Sequence, residues 1–375
     1  MPSQERYHVS LRVWVSATEG TMSSVIVEVV RLEAVRPHTN ADKLFLAQIK
    51  GWQTVIRKLD NGAPEFQAGD CVVYIPPEST LPRELAVRLG VESYLSEKIN
   101  LAGERELVVR QVRLRGEPSY GFVIRPDDPH WAVGTDVQAH YGIGKYLPPV
   151  KFMAGDAEPN HPLFERYTDI ENLRHFPDVI QAGEEVIVTE KLHGTNTRIG
   201  SIAGIILAGS HGLQRKRPEP VDLATHTYWF PATLEPVMAL LDALQEHHRQ
   251  VILFGEVYGS RIQKLDYGQK RGVGFAAFDL YVDGKYLDYD AFTALCSTYG
   301  ITTVPELGRG PYSLAFVRDL SRGQTTLPGT HIREGVVVKL TRERYDPKVG
   351  RVVFKYLNDD YLLNTKLADA DATDL

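Results

Sequence analysis

Cysteine is nearly absent. The chain holds two, Cys71 and Cys296, in different halves and without a CxxC pairing. That excludes a disulfide framework and a cysteine-based zinc site, and it points to a reducing, cytoplasmic home. No apolar run approaches the ~20 residues that a membrane span needs, so the chain reads as soluble, with no membrane partner. The stretch 1–22, MPSQERYHVSLRVWVSATEGTM, lacks the long apolar core of a secretory signal; it reads as a flexible extension, with Met22 a candidate beginning of the folded chain. Nor is there an excess of base. The net charge is −6, whereas nucleic-acid binders are often basic overall. A local basic groove remains open, but the balance predicts modest, salt-sensitive affinity for bulk nucleic acid. Part of the acid sits in Asp369, Asp371 and Asp374, within an acidic, solvated tail at 366–375.

What is present suits two domains, each long enough to bury its own core. Residues 23–145 show short β-branched runs punctuated by Gly and Pro: Val25–Val30, Thr54–Arg57, Cys71–Ile75, Leu107–Leu114 and Tyr120–Ile124. They predict a small antiparallel barrel, with one helix within 81–100. A loop-rich linker follows at roughly 140–165, carrying Pro148 and Pro149. Residues 165–365 predict an α+β domain on antiparallel sheet. Its strands are Glu185–Glu190, Thr197–Leu207, Val251–Val257, Val273–Val282, Gly335–Leu340 and Arg351–Tyr356. Val237, Leu240, Leu241 and Leu244 recur at helical spacing after Pro231 and Pro236, an amphipathic helix.

The chemistry begins at Val188-Thr-Glu-Lys-Leu-His-Gly-Thr-Asn196, where a strand ends in a lysine with glycine three residues on. Alone, such a lysine is usually a solvated charge. It is followed, in order, by Phe254-Gly-Glu-Val-Tyr-Gly259, Phe275-Ala-Ala-Phe-Asp279, Arg333-Glu-Gly-Val-Val-Val-Lys339 and Arg351-Val-Val-Phe-Lys355. A lysine amine, with an ordinary pKa of about 10.4, attacks phosphorus only where nearby cations or desolvation favour its neutral form. Lys339 and Lys355 each follow an apolar strand run, where a charge needs a partner, and both can stabilise charge building on a phosphate.

These five segments in this order resemble motifs I, III, IIIa, IV and V of the covalent nucleotidyltransferase superfamily, and the KLHGTN wording is similar to its ATP-dependent RNA ligases. The resemblance implies that Lys191 carries AMP from ATP and that Lys339 and Lys355 serve the α-phosphate. It also implies that Glu256 contacts the ribose and that Glu334 serves Mg²⁺ or Mn²⁺, with Glu256 as a second metal candidate. Phe278 would stack on adenine, and Glu190 would bracket the base edge through either its side chain or its backbone. His193 and Asn196 would contact phosphates or serve the sealing step, with Thr195 structural. The absence of a further barrel after Lys355, and the Pro37-His-Thr-Asn-Ala-Asp-Lys-Leu44 stretch, are similar to Deinococcus-type ligases with an N-terminal OB domain. The implied function joins 5′-phosphate and 3′-hydroxyl RNA ends, in nicked duplex for preference, through lysyl-AMP and 5′-adenylylated RNA, as in repair of RNA nicks or breaks.

The sequence departs from the family pattern twice. Ala208-Gly-Ser-His-Gly212 stands where relatives place a phosphate-binding arginine, leaving His211 or one of Arg215, Lys216 and Arg217 for that role. Val353 stands where several relatives have a second motif V lysine, and Arg351 is a partial substitute. These gaps keep two rivals in view, a catalytically decayed nucleotide- and RNA-binding adaptor and a guanylyl-transferring capping enzyme. Two basic groups are candidates for contact with nucleic acid, Arg113 with Arg115 on the outer face of a strand, and Arg261, Lys264, Lys270 and Arg271 in a loop.

Overall fold

The computed structural model describes residues 25–147 and 156–363. The extension at 1–22, the tail at 366–375 and the Pro148–Pro149 pair lie outside the described residues. In the first region, antiparallel sheets of three, three, four and two strands enclose two apolar clusters. The strands Glu28–Arg31 and Cys71–Ile75 feed both. Val29, Val73 and Ile75 enter one cluster, and Val30, Val72 and Tyr74 the other. That is the alternation of a strand buried on both faces.

Two expected strands are broken. Leu107–Leu114 divides at Arg110 into Arg105–Val109 and Gln111–Leu114, which join different sheets. Tyr120–Ile124 divides at Gly121, which has φ +70°, and where a Cβ would lie 2.1 Å from the Ile75 carbonyl oxygen. Arg115 is not on a strand face. It has φ 48° and forms with Gly116 the turn between Gln111–Leu114 and Glu117–Tyr120, the left-handed pair that a two-residue hairpin requires. The expected helix is present at Arg83–Leu89.

The second region is built on two sheets. Seven strands run in the order Ala157–Glu158, Gln214–Arg215, Ile205–Ser210, Thr195–Ile202, Gln250–Tyr258, Gly274–Val282 and Lys285–Tyr286. Five more run Glu171–Asn172, Val353–Leu357, Gly335–Leu340, Glu185–Lys191 and Glu306–Pro311. The expected strand 197–207 is a hairpin, reversed at Ala203 (φ 49°) and Gly204 (φ 83°). Helix Glu235–Gln245 buries Val237, Leu240 and Leu241 against Ile199, Val251 and Leu253 of the larger sheet. Ile187 of the smaller sheet joins that same core, whereas Val186 and Val188 pack with Val317 of helix Leu314–Ser321 on the opposite side. Alternation along Glu185–Lys191 therefore turns Ile187, Thr189 and Lys191 toward the larger sheet.

The two regions meet at Arg174, which is 2% exposed. Its guanidinium lies 4.1 Å from the ring centres of both Trp52 and Tyr356 and donates to Asp359 at 2.7 Å. Tyr120 donates to the same Asp359 oxygen at 2.9 Å. A buried cation stays charged only with such a partner, and its flat faces suit aromatic lids. Beside it, burial and the charges of Lys355, Lys50, Arg174 and Lys145 push His175 down to about 3, so its ring is neutral at physiological pH.

Candidate active site

Lys191 ends its strand, and Leu192, His193 and Gly194 carry the chain across to the larger sheet at Thr195. The glycine is dictated by that crossing. A Cβ on Gly194 would stand 2.3 Å from the Val257 carbonyl oxygen and 2.9 Å from Glu256 Cγ. Gly194→Ala is accordingly expected to force the strands apart at Glu256 and to destabilise the fold by about 1–3 kcal/mol, readable as a lower urea midpoint.

The Lys191 ammonium pairs with the Glu334 carboxylate, and the other Glu334 oxygen lies 3.4 Å from His193 Nδ1. His193 and Glu334 are both buried. The His193 amide donates to the Tyr267 hydroxyl at 2.7 Å, and Tyr361 Oη lies 3.2 Å from His193 Nδ1. Burial raises the Tyr267 phenol well above its ordinary range, and Glu334, Glu190 and Glu256 push it the same way. The Tyr267 hydroxyl thus ties the His193 backbone to the loop that carries Tyr267. Asn196 faces Glu256 across neighbouring strands.

The three lysines share the cleft face of the smaller sheet but not one position. Lys355 pairs in register with Val337, and Val337 with Thr189. Burial pushes the Lys355 ammonium below its usual range. Glu78 opposes that fall, Lys191 and Lys145 add to it, and Glu334 opposes it. Lys355 therefore feels both Lys191 and its carboxylate partner. Lys339 pairs with Ile187, four residues before Lys191, about 13 Å down the strand. Its ammonium donates to the Phe278 carbonyl at 2.6 Å and to Asp279 at 2.7 Å. The structure does not bring Lys339 together with Lys191; burial draws it to Asp279 instead. Phe278 is half-buried, edge-on to Tyr167 at 4.7 Å.

Glu190 points away from the cleft. Its carboxylate accepts from Thr326 N at 2.9 Å and Thr326 Oγ1 at 2.7 Å, with Arg333 Nε 3.6 Å away. Of the two ways it was expected to meet a base, this leaves the backbone. His211 lies 3.3 Å from Asp169, and Arg215 pairs with Asp156 at 2.7 Å. Tyr267, Tyr361, Asp279 and Thr326 were not foreseen as parts of this region. Asp279 closes the Phe-Ala-Ala-Phe-Asp segment, and a carboxylate ending an apolar run was a signal for a buried cation partner. For the two tyrosines no local pattern existed.

Among the described residues there is no group of three or more His, Cys, Asp or Glu able to hold a metal by themselves. Glu334 Oε2 and Asn196 Oδ1 are nevertheless buried without a hydrogen-bond partner among those residues. Each is a hard oxygen donor of the kind Mg²⁺ or Mn²⁺ takes, with most of such an ion's shell left to water and substrate phosphates.

A strand-end lysine against a buried carboxylate, with a second lysine on the same face of an antiparallel sheet, is the charge pattern that covalent nucleotidyl transfer calls for. Residues 184–357 match the family model described as RNA ligase, and residues 26–126 match an OB-fold domain. The two matches together make this chain similar to a ligase region preceded by an OB-fold region. Among solved structures it is similar to Naegleria gruberi RNA ligase with PPi, at 23% identity over 90% of this chain and 98% of that chain, TM-score 0.69. A point mutant of the same ligase with AMP and Mn gives 23%, 90%, 98% and 0.70. Another with ATP and Mn gives 24%, 90%, 98% and 0.69. No curated protein sequence matches.

Proposed function

We propose that this chain is an RNA ligase that uses ATP and a divalent cation, and that it seals 5′-phosphate to 3′-hydroxyl RNA ends in three steps. The neutral Lys191 amine attacks the α-phosphorus, forming a P–N bond as the P–O bond to pyrophosphate breaks. The AMP then passes to a 5′-phosphate, giving a 5′-to-5′ anhydride. A 3′-hydroxyl attacks that phosphate and expels AMP. Catalysis in such transfers is mostly positioning and charge stabilisation.

The observation that carries this reading is the Lys191–Glu334 pair, with Lys355 within electrostatic reach of both. Lys355 is the phosphate cation of the site. Lys339 serves from a distance, holding the Phe278 backbone where the ring can meet adenine. Glu256 takes the ribose, and His193 lies between Lys191 and the incoming phosphates. Glu334 and Asn196 would hold Mg²⁺ or Mn²⁺ through their unpartnered oxygens, with Glu256 beside Asn196 as a further ligand. When bound, the cation supplies charge neutralisation on the phosphates. The adaptor alternative rested on Val353 and on the absent phosphate-binding arginine; the Lys191–Glu334 pair, with Lys355 in electrostatic reach, favours the catalytic reading. The similar Naegleria structures hold PPi, AMP with Mn, and ATP with Mn, that is, the nucleotide donor, the transferred nucleotide, the leaving group and a divalent cation.

The preferred substrate is a nick in duplex RNA, gripped by the OB-fold domain, as in repair of broken RNA. A cytoplasmic site of action suits the unpaired thiols of Cys71 and Cys296. Among the described residues no helix is long and apolar enough to cross a membrane.

The test is incubation with α-labelled ATP and Mg²⁺ or Mn²⁺, followed by sealing assays on nicked duplexes that vary RNA and DNA on each side. A covalent protein–AMP band is expected from ATP and not from GTP. Chelation of the cation with EDTA is expected to abolish the band, and re-addition of metal to restore it. Failure to label from ATP under any divalent cation would remove the proposal.

A further inference from the structure

The family match ends at residue 357, yet the chain continues directly into the site. Asn358 donates through its amide nitrogen to the Glu334 carbonyl at 2.9 Å and through its side chain to the Arg333 carbonyl at 3.0 Å. It also starts the short helix Asp359–Leu362 by accepting from the Asp360 amide. Tyr361 of that helix is fully buried, with its hydroxyl 3.2 Å from His193 Nδ1. The same nitrogen lies 3.4 Å from Glu334 Oε2, and the other Glu334 oxygen holds the Lys191 ammonium. The helix is gripped from the other side by Tyr120 and Gln111 of the first domain and by Arg174 at the junction of the two. Tyr120 and Arg174 both donate to Asp359, and Gln111 Nε2 reaches the Leu362 carbonyl at 3.5 Å.

We propose that Tyr361 is a positioning residue for adenylyl transfer. Held in place by the first domain, it fixes the His193 ring against Glu334, and Glu334 in turn fixes Lys191. His193 Nδ1 lies 3.2 Å from the Tyr361 oxygen and 3.4 Å from Glu334 Oε2, so the two side chains bracket one ring nitrogen. The Tyr361 hydroxyl is the hydrogen-bond partner that stops the ring from turning away. The hydroxyl never touches the reacting phosphorus. Its effect is to keep the ammonium, and after proton loss the amine, on the line of attack.

This inference rests on the reading of Lys191 as the adenylylated residue, and wild-type protein labelled from ATP is the control that separates the two. The decisive variant is Tyr361→Phe, which keeps the ring and its packing. Its first-order rate of lysyl-AMP formation is expected to fall about 10-fold. The ATP concentration for half-maximal rate and the melting temperature are expected to stay at wild-type values. Asp359→Asn, which loosens the helix from Arg174 and Tyr120 without touching Tyr361, is expected to slow the same step. The double variant should be little slower than Tyr361→Phe alone, since both act through one path. Labelled wild type with an unchanged rate in Tyr361→Phe would overturn the inference. So would a loss confined to ATP affinity or melting temperature, and so would rates in the double variant that multiply. An unlabelled wild type would instead remove the proposed function itself.

Discussion

Lys191→Ala is expected to yield no covalent protein–AMP, and ligation of 5′-phosphorylated ends is expected to fall by about 10⁴-fold or more, the scale on which loss of a covalent nucleophile is felt. The alanine variant should fold normally. Lys191 is partly exposed at a strand end, where it pairs with Glu334. Removing it does leave Glu334 buried without its cation, so a modest drop in melting temperature is expected as well. Lys191→Arg should be no better as a nucleophile. A guanidinium does not lose its proton at accessible pH, so it can keep the Glu334 contact and still form no P–N bond. A labelled band with either variant would assign the adenylylated amine elsewhere. Gel analysis with α-labelled ATP reads all three proteins side by side.

The largest expected effect on stability lies at Asp279. Its carboxylate is buried and accepts from Lys339 at 2.7 Å and from Arg351 at 3.0 Å, with the Tyr167 hydroxyl also bonded to it. Arg351 is held besides by Glu343, so the two cations share three acidic or phenolic partners inside the fold. Asp279→Ala leaves Lys339 without a counter-charge and is expected to cost about 3–5 kcal/mol, measured by urea denaturation. Lys339→Met should cost less, because Asp279 then still has Arg351.

Burial alone would raise the Asp279 carboxyl; Arg351 and then Lys339 outweigh it and hold the group below the ordinary carboxylate range. A carboxyl depressed on folding stabilises the protein above its unfolded pKa of about 3.9 and loses that contribution as pH falls through the folded value. The share of stability owed to Asp279 should therefore be whole at neutral pH and disappear only under strong acid. In Asp279→Ala that part of the acid limb should be missing.

Most strands of both domains were legible because they carry their own evidence. Gly335–Leu340 and Cys71–Ile75 are short β-branched runs bounded by turn residues, and their limits in the structure are those of the runs. Failures came where the chain changes partner without changing composition. Arg110 looks like any strand residue but hands the chain from one sheet to another. The Ala203–Gly204 turn lacks the Asn or Asp that usually marks a two-residue hairpin. In the site, motif spacing pointed to Lys191, Glu334 and Lys355, which the fold gathers in one region. The same spacing grouped Lys339 with them, because a linear motif records which face a residue shares but not how far along the strand it sits. Glu190 shows the converse: adjacent in sequence to the nucleophile, its side chain is on the opposite face of the sheet, which leaves its backbone for the base. Tyr361 and Tyr267 were invisible, since their roles depend on contacts across 168 and 74 residues of chain.

The stacked guanidinium at Arg174 alters how domain-deletion experiments on this enzyme are to be interpreted. Excising the first domain would uncover one face of that cation and strip Asp359 of a donor, a few residues from Lys355 and Tyr361. A shortened protein that fails to seal RNA could then owe its failure to a slackened catalytic centre as much as to a lost grip on the strand. Point changes on the outer surface of the first domain, away from Trp52 and Tyr120, are the cleaner way to separate the two.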